Sequence, residues 1–436
     1  MRALVLISLL ASSSVLLAQN PAEQAPAEPV QDEPATGLQF RFKEKPSLRF
    51  RDDFRLDLEA KWQFDFRHFN PSIANPPVTT DSFVLQRARF GLKGFVTRFF
   101  SYEAERDLRG TFSDDHPEHP WKDVYVEFQP NKTFQLKVGK FKLPFGMEQN
   151  TSSARLDFIN RSRVSDFLTP ARERGAMLHG KFLSGGHLGY DFGVFRFDGE
   201  NSGLQGAPSA GRTYAARISG EPLQYVSRLP KVVRHAYVGL AMTTGEMFEG
   251  QSGIRGQTIS NFTYFDRVFV KGNRRRIGME LSWTEGPFAL KGEYIHISEQ
   301  RKGQGIRLED LPDKISRGWY VTTSWVALGQ MKSKGSEPKD PFITGKGYGA
   351  LELAARLDVL TFYSASHPGL PSRSPRAPNI LPNGERTWTF GSTWYINHFV
   401  KIQGNAEREW VIDIARRPVE GRNVFWTGII RIQFAM

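Results

Sequence analysis

The sequence predicts an all-β chain that closes into a transmembrane antiparallel β-barrel of about sixteen strands, and three observations carry that prediction. The first is the stretch FRLDLEAKWQFDFR at residues 54–67. Phe54, Leu56, Leu58, Ala60, Trp62, Phe64 and Phe66 share one parity; Arg55, Asp57, Glu59, Lys61, Gln63, Asp65 and Arg67 share the other. A period of two makes a strand with one apolar and one ionic face, and at about 3.4 Å per residue the run covers roughly 45 Å. Strands of soluble domains usually end after about six residues. One this long and this two-faced suits a wall between lipid and water. The second observation is that the alternation recurs to the end of the chain, with no run approaching ~18 apolar residues, which argues against a helical membrane bundle. The third is the spacing. Tight links at 97–98, 130–132, 184–186, 285–286 and 397–398 mostly alternate with longer ones at 68–82, 110–120, 144–173, 198–210, 244–273, 299–316, 363–385 and 411–421. Membrane barrels sort their connections by end in this way, and a soluble sandwich has no reason to. The links at 221–231 and 329–346 break the rule, since both belong to the short-turn end and both are long.

Taken in order, residues 1–18 read as a secretory signal, with Arg2 as its charge, an apolar stretch at 3–17 and Ala18 at the cleavage point. Residues 19–37, rich in Pro, Ala, Glu and Gln, read as a disordered periplasmic tether, and 38–436 as the barrel domain. After 54–67, the strand at 83–96 is expected to place Val84, Ala88, Phe90 and Leu92 outward and Arg87, Arg89 and Lys93 inward. The strand at 99–109 opposes it with Glu103, Glu105 and Asp107 on the inner face. Strands at 122–128 and 133–143 lead into the long connection 144–173. Others fall near 174–184, 187–197, 211–220, 232–243, 274–284, 287–298, 317–328, 347–362, 386–397 and 399–410. The last, near 422–434, turns Trp426, Gly428, Ile430, Ile432 and Phe434 outward and Thr427, Arg431 and Gln433 inward. Aromatic content of 13%, with 34 Phe and 9 Trp, suits the girdles of such a barrel.

The whole chain carries +12. Residues 1–37 hold one arginine (Arg2) and four carboxylates (Glu23, Glu28, Asp32, Glu33), so the remainder carries +15. A cationic exported body implies an anionic partner: small anions or the phosphates of lipopolysaccharide. No nucleic-acid motif is present. The absence of cysteine excludes disulfides, thiolate metal sites and cysteine nucleophiles. His116 and His119 lack a third ligand and make a poor metal site. No Ser/His/Asp constellation and no phosphate-cradling loop is recognisable. No cofactor and no catalysis are expected.

Four segments resemble the phosphate-selective porin O/P family: FVLQRARFGLKGFVTRFFSYEAERDLRG at 83–110, LKVGKFKLPFGMEQNTSSARLDFINRS at 136–162, GYGALELAARLDVL at 347–360 and TWTFGSTWYINHFVKIQGNAE at 387–407. The resemblance implies a trimeric sixteen-stranded barrel of the bacterial outer membrane, passing phosphate or related anions, with its third loop folded inward. Such a pore needs fixed cations on a wet inner wall, and arginine suits phosphate because its planar fork stays charged. Inward parity selects Lys61, Arg87, Arg89 and Lys93. The resemblance matches Arg87 and Lys61 to ladder arginines and places Arg161 at a basic constriction, with Arg155 in the same loop and Lys140 and Lys142 just before it. In the triplet 274–276, Arg276 is expected to face in with Glu280 and Ser282. Gln149 replaces a lysine of the phosphate-selective members, and Arg89 replaces a pore tyrosine. These departures lie at the eyelet itself, so the expected function is passive conduction of small anions, phosphate- or polyphosphate-like ones among them. A general or organic-anion diffusion pore, or an outer-membrane hydrolase on a barrel scaffold, are the alternatives.

Overall fold

The computed structural model describes residues 37–436 apart from 43–44, 52, 71–80, 113–118, 204–210, 332–336, 344, 366–373 and 375. The expected signal, the tether at 19–36 and His116 lie outside the described residues.

A hairpin, β1 (Leu38–Phe42) and β2 (Pro46–Phe50), precedes the barrel. Then β3 (Phe54–Asn70), β4 (Asp81–Val96), β5 (Phe100–Asp107), β6 (Trp121–Phe128), β7 (Gln135–Lys142), β8 (Arg172–Phe182), β9 (Leu188–Phe195), β10 (Thr213–Gly220) and β11 (Tyr237–Gln251) pair in sequence. Two short strands, β12 (Gly256–Gln257) and β13 (Thr263–Phe265), form a separate hairpin in the loop that follows. The wall resumes with β14 (Phe269–Glu285), β15 (Phe288–Arg301), β16 (Leu311–Leu328), β17 (Ala350–Ser364), β18 (Asn383–Tyr395), β19 (Val400–Val411) and β20 (Val424–Ala435). β20 then pairs antiparallel with β3, from Trp426 opposite Asn70 to Ala435 opposite Lys61, which closes sixteen strands into a barrel without a free edge. Each of the sixteen falls on a predicted strand. The long links near 221–231 and 329–346 do lie at the short-turn end. The hairpin β1–β2 was not expected: β3 extends below the end of β20, and β2 pairs with that surplus through Ser47–Asp57 to Phe50–Phe54.

The faces follow the alternation. Trp62 and Phe66 are exposed on the outside of β3, while Gln63 and Asp65 are buried inside. Arg431 on β20 meets Asp65 at 2.6 and 2.8 Å, and Gln63 donates to Gln433 at 2.6 Å, so the closing seam is also a polar seam. One parity differs from expectation. Gln63 pairs with Arg87 but Phe64 pairs with Leu85, so Gln86 is a bulge that swaps faces above it. Phe83 is therefore outside, and Val84, opposite Asp65, is inside.

At the periplasmic rim of β4, the outer face is notched. A Cβ on Gly94 would lie 1.8 Å from the Arg55 carbonyl oxygen, and the Tyr102 hydroxyl donates to that same oxygen at 3.2 Å. Gly94→Ala is expected to displace Tyr102 and destabilise the barrel by about 1–3 kcal/mol, read as a lower unfolding temperature in detergent.

Candidate functional site

The site is built by the connection at 143–171, between β7 and β8. Its chemistry dictates where it lies. It is rich in backbone carbonyls and side-chain polar groups that need partners once out of water, and the inner faces of the long strands supply them. Lys291 on β15 meets Asp157 at 2.8 Å. Arg356 on β17 donates to the carbonyls of Asn160 and Arg161, at 3.2 Å each, and pairs with Glu148 at 3.2 Å and Asp358 at 2.9 Å. Lys401 on β19 donates to Leu156 O, and Arg431 to Ile159 O. Gln63 on β3 and Gln433 on β20 donate to Ser153 O and Ala154 O. The segment therefore crosses the barrel interior, as expected of the third external loop.

Two short helices stiffen it. Met147–Asn150 points its first amides at the Glu293 carboxylate of β15. Arg163–Leu168 is capped by Ser162, whose hydroxyl accepts from Ser165 N at 2.9 Å. Arg163 runs to Glu385 at 3.2 Å and Glu409 at 3.7 Å. Apolar packing completes the anchor. Val164 and Leu168 are fully buried in a cluster with Ile254, Phe262, Tyr264, Phe265, Phe362 and Phe425, to which the hairpin β12–β13 contributes. That cluster packs part of the β14–β20 side of the lumen; a cavity of about 340 Å³ remains between the loop and Tyr237, Ser282, Lys291, Tyr320 and Thr322.

The opposite wall faces a larger and more cationic cavity. A cavity of about 430 Å³ lies between the loop and the β3–β10 wall. Lys61, Arg87, Arg89, Lys93, Lys142 and Arg161 line it, together with Arg155. These cations divide into two groups. Lys61 and Arg89 share Glu105 at 3.4 and 2.9 Å, Arg89 also reaches Asp107, and Lys93 meets Glu103 at 3.1 Å. These are the cross-strand pairs that β5 was expected to offer. The second group has no carboxylate partner among the described residues. Arg87 donates to the Gln63 amide oxygen at 2.6 Å. Lys142 donates to the carbonyls of Gln149 and Thr151 at 2.6 and 3.1 Å. Arg161 donates to the carbonyls of Glu148 and Thr151 at 3.2 and 2.9 Å. Arg155 lines the cavity and makes no ion pair among the described residues. Neutral oxygens, not ion pairs, fix the first three in place. Burial lowers the Arg161 guanidinium pKa, with Glu148 opposing; arginine starts high enough to stay charged. Burial raises the Glu148 carboxyl, with Arg356 opposing.

Two expected pore residues lie elsewhere. Lys140 pairs in register with Val124 and Arg174, whose side chains are outside, and its ammonium is taken by Glu200 and by Trp121 O at 2.8 Å. Arg276 does face in, with Glu280, but it is buried against Asp198 and Leu168 O, where it anchors the loop and does not line the cavity. Its neighbour Arg274 is bound by Asp198 and Glu299. Conversely, Arg172 and Arg217 line the cavity and were not selected. Arg172 holds Asp123 at 3.1 Å and Arg217 holds Glu280. Arg217 sits on the inner parity of β10, so alternation alone marks it.

A closed sixteen-stranded barrel narrowed by an inward loop is the architecture of an outer-membrane porin, and the chain is placed in the bacterial outer membrane accordingly. It belongs to the family of phosphate-selective porins O and P, whose model matches residues 54–408. No curated protein matches it. Among solved structures it is similar to a loop L8 deletion mutant of OmpT, an outer membrane protein of Vibrio cholerae, at TM-score 0.55 and 8% identity over 88% of this chain and 100% of that one. The trimer form of in-vitro folded OmpT gives 0.53 and 7% over 88% and 100%. The outer membrane channel DcaP of Acinetobacter baumannii gives 0.53 and 8% over 89% and 99%. At such identities the likeness is one of fold.

Proposed function

We propose that this porin passively conducts small anions, phosphate-like ones among them, through the eyelet between loop 143–171 and the β3–β10 wall. The observation that carries the reading is the group Arg87, Lys142, Arg155 and Arg161: four cations around one cavity, none neutralised by a carboxylate among the described residues. A dehydrating anion exchanges water for these donors, while the paired cations Lys61, Arg89 and Lys93 continue the track more weakly. Several moderate sites in series bind enough to admit an ion and weakly enough to release it. Family membership supports phosphate as a substrate. Micromolar phosphate added to a chloride-conducting bilayer is expected to reduce the chloride current; unchanged current leaves a general anion pore.

A second reading, conduction of organic anions, is favoured by one observation. Tyr125, Phe141 and Met177 line the same cavity as the cations, so a carboxylate with an apolar body finds both halves of its chemistry there.

Assembly as a homotrimer fits the wall. β5, β6, β7, β9 and β10 have eight residues each. At about 3.4 Å per residue and ~40° tilt they rise roughly 20 Å, less than the ~25 Å apolar band of such barrels. Neighbouring copies packed against that short wall relieve the mismatch. A cross-linked species of three chains from outer membranes checks this; a cross-linked series ending at one chain contradicts it.

A further inference from the structure

The outer face of β18, β19, β20 and β3 carries a feature that conduction does not use. Gly404, Ala406 and Gly428 are adjacent in register, Ala406 opposite Gly428, and they form the floor of an apolar groove walled by Phe66, Phe390 and Ile430. The groove holds about 920 Å³. It is open: a Cβ on Gly428 would meet nothing within 4 Å. Phe66, Phe390 and Ile430 point away from the lumen and are each about half exposed.

Directly above the groove, toward the external loops, stand two outward arginines. Arg408 lies two residues beyond Ala406 on β19, and Arg386 lies four before Phe390 on β18. Arg408 is held between the rings of Trp410 and Trp426, at 4.2 and 5.0 Å. Those indoles suit an external aromatic girdle, which sets Arg408 at the level of the lipid headgroups, with Arg386 on the next strand opposite Trp410. Neither arginine makes an ion pair among the described residues. The carboxylates of the same strands, Glu385, Glu407 and Glu409, are all buried on the lumenal side. An unpaired guanidinium facing hydrocarbon is costly, and one facing a phosphorylated headgroup is stabilised.

We propose that this face is a docking site for one phosphorylated, multiply acylated glycolipid of the outer leaflet, with an acyl chain in the groove over Gly404, Ala406 and Gly428 and a phosphate on Arg386 and Arg408. The arrangement matches the amphipathic build of that lipid: a chain-wide apolar trough below, two free cations above, and a ring girdle between. Polar residues at the top of the trough and small residues at its floor each have a role that a bare lipid-facing wall does not require. The groove reaches Ser82 and Phe83 on β4, beside the short wall that starts at β5, so a lipid there sits at the margin of a copy packed on that wall.

The test uses the full-length porin reconstituted in phosphatidylcholine vesicles containing bisphosphorylated lipid A, with lipid A retained per chain counted by native mass spectrometry. Arg386→Gln/Arg408→Gln is expected to lower retention about thirtyfold. Gly428→Leu, which fills the trough from a position with open space, is expected to lower it as well while leaving the arginines intact. Dephosphorylated lipid A should bind wild-type chain no better than bisphosphorylated lipid A binds the double arginine variant. Ion selectivity should be the same in all three proteins, which separates this site from the eyelet. Equal retention by wild type and both variants would overturn the proposal. So would an interchain disulfide in Gly428→Cys, the single thiol of an otherwise cysteine-free chain, because it would show that a second copy occupies this face.

Discussion

Replacing Arg87 and Arg161 together by glutamine is expected to lower the chloride-to-potassium permeability ratio about tenfold while the barrel still folds. The size follows from Coulomb's law. A unit charge about 6 Å from a passing anion contributes ~3 kcal/mol at an effective dielectric constant near 20, and salt in the eyelet screens much of it. Two such charges, half-discounted, leave at least the ~1.4 kcal/mol that a factor of ten requires. Glutamine keeps a donor for the Gln63 amide oxygen and for the carbonyls of Glu148 and Thr151, so the change removes charge more than structure. Lys61→Gln alone should do less, because Lys61 is already shared with Glu105. Zero-current potentials in asymmetric potassium chloride measure both.

The second large effect is expected at Arg356, which touches no ion. It is fully buried and joins β17 to the loop through Glu148, Asn160 O and Arg161 O, with Asp358 as its companion on the strand. Arg356→Met leaves Asp358 and two loop carbonyls buried without their donor, a loss of about 3–5 kcal/mol. The loop should detach from the β14–β20 side, and Arg161, next to its anchor, should lose its place. Single-channel conductance is expected to rise, anion preference to fall and the unfolding temperature to drop together. A drop in unfolding temperature with unchanged conductance would mean that Arg356 holds the wall and not the loop.

How much of this was legible in the sequence depends on which force set each feature. Alternation set the wall, and period two can be read residue by residue: Lys61, Arg87, Arg89 and Lys93 fall on the lumenal side as their parity requires. Alternation also marks Lys140 as outward, since it shares the parity of Leu136 and Val138; its place next to the loop was the misleading cue. Lys142 has that same parity, yet it reaches the eyelet because the chain bends inward there and loop carbonyls capture its ammonium. The bulge at Gln86 left no mark, because no glycine or proline signals it and its cause is the register against β3. Arg276 was read correctly for face and wrongly for role. Its partner, Asp198, lies in a different loop, and no local pattern reveals a pair so far apart in sequence. The burial of Phe262, Tyr264 and Phe265 against the loop was likewise invisible, since aromatic residues in a loop read equally well as an exposed rim.

The most direct test of the central claim is the zero-current potential of the wild-type porin in a planar bilayer with a potassium chloride gradient across it. An eyelet lined by Arg87, Lys142, Arg155 and Arg161 predicts a potential of the sign set by chloride and close to the chloride equilibrium value. A potential near zero, or one of the sign set by potassium, would contradict it.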